Sequence, residues 1–179
     1  MPVRENIVLI GFMGSGKSTI GRMVAQRLAF RFVDTDRLII ERAGMPISDI
    51  FARDGEAHFR DLETSVLESL ANLRHSVIST GGGVVVREGN RALLREAGFV
   101  VELTANPDVL FERVARNTKR PLLQTDDPRA TVRELFTVRR PLYEATAHLR
   151  LDTSALSRSE AVERVCKAAR TAFAWDEAT

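Results

Sequence analysis

Gly11 to Ser18 reads GFMGSGKS, a glycine-rich string that ends in a lysine and a hydroxyl. Gly11, Gly14 and Gly16 let the backbone curl so that successive N–H groups point inward, as phosphate oxygens require. The positive end of a following helix would add to that attraction. Lys17 supplies a mobile cation for terminal phosphates, and the Ser18 hydroxyl suits Mg²⁺. The chemistry implied is the binding of a nucleoside triphosphate with its metal by Gly11 to Ser18.

A triphosphate site of this kind needs an acidic partner for the metal, which many nucleotide hydrolases place at the end of another strand. The apolar run Ser76-Val77-Ile78-Ser79 offers no such acid, whereas Phe32-Val33-Asp34-Thr35-Asp36 offers two. Acids in alternation at a strand end point the same way, so one would face the metal and the other an acceptor hydroxyl. The competing reading is that one of them caps the next helix. Gly81-Gly82-Gly83 would let another molecule approach the backbone closely, or would simply make a tight turn. Residues 116–128, RNTKRPLLQTDDP, are polar and without clear period, which suits a mobile lid. Within it Lys119 and Arg120 could swing over a transferring phosphate and help exclude water. Arg60 and Arg139 carry no local signal that separates them from solvated arginines.

These residues need a scaffold, and the apolar runs describe one. Ile7 to Ile10, Phe32-Val33, Val77-Ile78, Phe99 to Leu103 and Leu149 to Leu151 read as five short strands. Helical periodicity fills the intervals: Lys17 to Leu28, Arg37 to Ala43, Ile47 to Arg53, Glu56 to Asn72, Gly89 to Glu96, Pro107 to Arg116, Arg129 to Thr146 and Ser159 to Ala172. The alternation predicts an α/β fold with a five-stranded parallel sheet flanked by helices. Such sheets bind ligands at the C-terminal ends of their strands. The glycine loop, Asp34 with Asp36, and Gly81 to Gly83 all fall there. Pro141 is expected to kink or restart its helix, and Trp175 to Thr179 to fray.

Composition narrows the classes further. The 179 residues suit one domain, and the formal charge of +2 comes from basic and acidic residues that are interspersed. No basic block speaks for nucleic acid, and no apolar run is long enough for a membrane span. Cys166 is the sole cysteine, so no internal disulfide is possible, and its apolar neighbours suggest a small buried residue. His58, His75 and His148 have no metal-ligand spacing with one another or with Cys166. A cytoplasmic protein is expected, and with nothing calling for an obligate assembly, a monomer.

Taken in order, the motifs resemble those of shikimate kinases. They are GFMGSGKST with Ile20-Gly21, Asp34-Thr35-Asp36, Ile50-Phe51 with Asp54-Gly55-Glu56 and Phe59-Arg60, Gly81-Gly82-Gly83, Arg120-Pro121-Leu122-Leu123, and Arg139-Arg140-Pro141-Leu142-Tyr143. The resemblance runs from about Ile7 to Asp152. It implies a fold of the nucleoside monophosphate kinase type, with an acceptor-binding segment over about 34–61 and the lid over about 116–128. The implied reaction is transfer of the γ-phosphoryl group of ATP to shikimate, with Mg²⁺ as cofactor. On this resemblance Gly14, Ser15, Gly16, Lys17, Ser18 and Thr19 hold ATP, Ser18 ligates the metal and Asp34 approaches it through water. Asp36 falls on the acid that hydrogen-bonds the ring hydroxyls, Arg60 and Arg139 on arginines that clamp the substrate carboxylate, and Gly82 on a glycine whose backbone touches the substrate. Lys17 and Arg120 then join Asp36 in catalysis, Arg120 also reaching the ATP phosphates, and Arg113 matches an arginine near adenine. One departure stands out: several family members have an Arg or Gln near adenine where this chain has Leu156 or its neighbour.

Two rivals share parts of this pattern. A kinase resembling gluconate kinase would also take a hydroxylated carboxylate, but the DTD and GGG pair weighs against it. A regulatory nucleotide switch would not need two acceptor-side arginines.

Overall fold

Strand β1 (Asn6–Ile10) is buried along its whole length, which requires a cover on both faces of the sheet. The computed structural model, which describes residues 5–115 and 125–175, shows how this is met. Strands β2 (Arg31–Asp34), β3 (Ser76–Ser79), β4 (Phe99–Thr104) and β5 (Leu149–Asp152) join β1 in the order β2-β3-β1-β4-β5. Every pairing is parallel, with Ile7 opposite both Val77 and Phe99. Parallel strands require crossovers, and helices supply them.

Alternation along β1 splits the core in two. Ile7 and Leu9 face helices α1 (Lys17–Leu28) and α7 (Arg158–Ala172), packing with Ile20, Val24, Val162 and Val165. Val8 and Ile10 face the other way. There they meet residues of α3 (Ile47–Ser69), α4 (Glu88–Ala97), α5 (Pro107–Ala115) and α6 (Pro128–Thr146), among them Leu67, Leu94, Leu110, Val132 and Tyr143. A third, smaller cluster of Ile39, Ile50, Phe59 and Val66 joins α2 (Thr35–Ala43) to α3. It gives the segment that carries Asp36 and Arg60 a core of its own.

Helix starts account for most departures from the expected boundaries. Helix α2 begins at Thr35 because the Asp34 side chain accepts the N–H groups of Asp36 and Arg37, a cap worth about 1 kcal/mol. Asp36 therefore sits in the first turn of a helix and not in strand alternation with Asp34. The expected helices Ile47 to Arg53 and Glu56 to Asn72 form one element broken at Gly55, whose φ of 82° is left-handed. Helix α7 opens with a full capping box between Ser157 and Glu160. Helix α6 does not restart at Pro141 but continues through it. Pro141 and Thr137, the residue whose carbonyl loses a partner, are both exposed, so water can serve that carbonyl. The C-terminal carbonyls of α6, at Ala145 and Thr146, are reached by Arg95 of α4.

At the edge of the sheet opposite the C-terminal strand ends, Trp175 packs edge-on against Phe30 at 5.7 Å and donates to Glu5 Oε1 at 3.1 Å. Glu5 also meets His75 at 2.8 Å. Trp175 is thus docked, contrary to the fraying expected of it, because its ring finds an aromatic platform in Phe30 and Phe173. Residues 176–179 lie outside the described part.

Candidate active site

The loop between β1 and α1 lines a cleft of about 820 Å³. Gly14 and Gly16 take φ of 80° and 95°, a region that side chains with a Cβ disfavour. A Cβ on Gly14 would also press on Val114 and on the Leu110 carbonyl of α5. The loop is thereby seated on α5, with the Ser15 N–H closing its turn onto the Phe12 carbonyl at 3.2 Å. Lys17 is buried, and its ammonium donates to the Gly11 and Phe12 carbonyls at 2.8 and 2.9 Å. Ser15 is buried, while Thr19 is exposed at the cleft wall.

Ser18 Oγ donates to Asp34 Oδ2 at 3.0 Å and lies 3.2 Å from Ser79 Oγ. Asp34 does two jobs, since its other oxygen caps α2. The capping explanation and the metal-side explanation thus apply to the same residue. Ser79 occupies the third-strand end, where sequence reasoning looked for an acid and passed over the hydroxyl. Ser18, Asp34 and Ser79 present hard oxygens beside the phosphate loop, a donor set that fits Mg²⁺ completed by phosphate oxygens and water. Among the described residues no group of three or more His, Cys, Asp or Glu side chains forms a metal cage by itself.

Across the cleft, Asp36 and Gly82 both face the lining. Behind them stands a buried charged cluster. Arg60 is 6% exposed and Glu63 1% exposed, and Arg60 Nη1 donates to Glu63 Oε2 at 2.9 Å. Arg60 Nη2 and Nε reach Glu56 Oε1 at 2.8 and 3.2 Å. Burial pushes the Glu63 carboxyl up, the Arg60 guanidinium pulls it back, and the Asp36 charge adds to the rise. Arg139 is also buried, and its Nη1 approaches the Gly82 carbonyl at 3.5 Å. Tyr143 donates its hydroxyl to the same carbonyl. Burial pushes that phenol well above the ordinary tyrosine range, so it remains a donor.

The three glycines after β3 form a turn, closed by Val84 N–H to the Gly81 carbonyl at 3.3 Å, and they also make room. A Cβ on Gly81 would press on Asp36 and Glu63, and one on Gly83 would overlap the Arg60 guanidinium. The turn expected of the glycines is thus present, and the room beside Gly81 and Gly83 is taken by side chains of the chain itself. The segment lets Asp36, Arg60 and Glu63 crowd one point of backbone.

Arg113, on α5, donates to the Gly14 carbonyl at 3.4 Å and to the Thr153 carbonyl at 3.3 Å. It shares the far end of the cleft with Val109, Leu156 and Ala161. Arg120 and most of the expected lid lie outside the described residues. The structure thus lines one cleft with Lys17, Ser18, Asp36, Gly82 and Arg113, and sets Asp34 against Ser18, Arg139 against Gly82 and Arg60 beside Gly83, behind that lining. Sequence reasoning gave no role to Glu63, Ser79 or Tyr143. Glu63 had a signal, an acid three residues after Arg60 on one helix face; Tyr143, four after Arg139, shares a helix face with it in the same way.

The shikimate kinase family profile matches residues 13–170. A shikimate kinase of Neisseria meningitidis serogroup C is 49% identical over 148 residues, covering 83% of this chain and 87% of its own. Among solved structures, a shikimate kinase from Acinetobacter baumannii in complex with shikimate superposes with a TM-score of 0.89 at 36% identity, covering 93% of each chain. A gluconokinase from Sinorhizobium meliloti 1021 shares the fold alone, with a TM-score of 0.57 at 23% identity over 97% of this chain and 94% of its own.

Proposed function

The chain belongs to the shikimate kinase family, and from that premise we propose how its own residues move the γ-phosphoryl group of ATP onto the 3-hydroxyl of shikimate, a step of aromatic amino acid biosynthesis. The observation that carries the reading is the placement of Asp36 and Gly82 in one cleft with the phosphate loop, backed by the buried set Arg60, Glu63 and Arg139.

ATP lies with its phosphates in the loop from Gly14 to Thr19 and its base toward Arg113 and Leu156. Backbone N–H groups and the Lys17 ammonium offset phosphate charge. Ser18 would hold Mg²⁺ directly and Asp34 would hold it through water; when bound, the ion supplies charge neutralisation between the phosphates. Shikimate lies on the Asp36 side. Arg60 and Arg139 take its carboxylate, because two guanidinium groups fix a planar anion in one orientation. Gly82 brings backbone against the ring, and Asp36 accepts the hydroxyl proton as the oxygen turns toward the γ-phosphorus. Holding the two reactants in line carries most of the rate. Arg120 is assigned to the phosphates from the lid over about 116–128, and the segment over about 34–61 to the acceptor. The whole chain is read as one domain, working as a monomer in the cytoplasm; among the described residues no helix is long and apolar enough to cross a membrane.

A coupled assay of ADP release tests the assignment. Turnover that requires shikimate and ignores gluconate is expected. ADP release indifferent to both acceptors would reject it.

A further inference from the structure

Two of the stripes of contact on helix α6 are offset by about 100° around its axis, the angle between successive residues of an α-helix. On one stripe Arg139 and Tyr143 reach the Gly82 carbonyl. On the other, Arg140 and Glu144 pair at 2.8 Å. Glu144 Oε1 also takes Arg150 Nη2 at 2.8 Å, and Arg150 Nε reaches Glu102 Oε2 at 2.7 Å. Arg150 and Glu102 stand directly opposite each other in the register of β5 and β4. A line of charge therefore runs from the helix, over the edge strand, into the interior of the sheet.

Its inner end is costly. Glu102 is 1% exposed on the same face of β4 as the apolar Val100, and burial pushes its carboxyl up against the opposing pull of Arg150. A buried ion pair is seldom more stabilising than an apolar residue of similar volume, and its better-attested use is to fix one arrangement of parts. The part it reaches here is the turn of α6 that holds Pro141, whose missing N–H leaves the Thr137 carbonyl without a helical partner. Arg139 lies in that thinned turn. Apolar packing and the Arg95 contact at its last carbonyls already hold α6 in place, and the charged stripe adds a further hold against roll about its axis.

We propose that Glu102, Arg150 and Glu144 form a tether that fixes the roll of α6 and thereby sets the Arg139 guanidinium at Gly82 for the acceptor carboxylate. They are positioning residues: none lines the cleft, and all act through Arg139. The inference rests on the acceptor role given to Arg139 above, and the two can fail separately.

Calorimetric titration of shikimate into the unaltered protein tests the acceptor assignment; absence of binding there overturns that assignment and the tether with it. Given binding, Glu144→Gln is the informative variant, because it removes the charge that pairs the helix with Arg150 while Glu102 keeps Arg150. Shikimate affinity and its KM are expected to weaken about 3- to 10-fold, a coupling of ordinary size. ATP affinity and kcat should stay within about twofold over the same range. Glu144→Asp, which keeps the charge, should recover most of the loss. Unchanged shikimate affinity in Glu144→Gln overturns the tether, as does a parallel loss for both substrates or a Glu144→Asp variant no better than the glutamine.

Discussion

Asp36 stands at the first turn of α2 while its neighbour Asp34 is tied to Ser18 and to two backbone N–H groups. Two carboxylates two residues apart are thereby given different work. Asp36→Asn keeps the size of the side chain and removes its basicity, so phosphoryl transfer should fall by about 10²- to 10⁴-fold, the usual worth of a general base. ATP affinity should change little, since Asp34 and the loop are untouched. Near-normal turnover in a steady-state assay would remove Asp36 from its role. Gly83 offers a second test at this scale. Its backbone, at φ −98° and ψ 0°, is open to alanine, so Gly83→Ala should fold, but its Cβ would displace the Arg60 guanidinium. Loss of one charged hydrogen bond to the carboxylate predicts a shikimate Kd weakened about 10- to 100-fold. An unchanged Kd by calorimetry would show that Arg60 does not need that place. The residues that sequence alone could rank were those with local chemistry, the glycine loop and the acid pair. Arg60 and Arg139 were legible only through the resemblance, because what marks them is burial beside a distant turn, and burial is a property of the folded chain. Tyr143 and Glu63 stand at helical spacing from those arginines, but that spacing becomes telling only once the arginines are known to be buried.

Strands and helices were the most legible elements, since apolar runs and helical spacing act locally. Their ends were not: α2 starts early because Asp34 caps it, and the break in α3 follows from the left-handed Gly55. The uninterrupted course of α6 through Pro141 depends on which face of the helix meets water, and that is decided by packing. One contact between elements predicts a pH effect. Val100 N–H donates to His148 Nδ1 at 2.9 Å just ahead of β5, and burial, then the Arg95 charge, lowers the pKa of His148 from 6.5. The folded protein therefore keeps this ring neutral below the pH at which the unfolded chain takes up a proton. Stability from this residue is complete above about pH 6.5 and is lost as pH falls from there through the lower folded value. Because the side chain is substantially exposed, the loss should be under about 1 kcal/mol after solvent screening. Denaturant titrations between pH 7.5 and 5 should show a steeper decline for the unaltered protein than for His148→Asn, and parallel curves would reject the assignment.

At the scale of the whole molecule, a sheet whose strands all run one way sorts its two rims by purpose. Every residue assigned to a substrate among those described lies toward the C-terminal rim, while the opposite rim holds Glu5, Phe30, His75 and Trp175 in one aromatic and charged cluster. That sorting was foreseeable from the strand order of motifs, but the docking of Trp175 was not, since it depends on a partner 170 residues away. The contact has a practical consequence. Two positions 170 residues apart touch at 3.1 Å, so the described chain from Glu5 to Trp175 nearly closes a ring. A circularly permuted chain, with its old ends joined by a short flexible linker and new ones opened in the exposed turn at Ala71 and Asn72, should keep its turnover within a few-fold, as permutants cut at exposed turns commonly do.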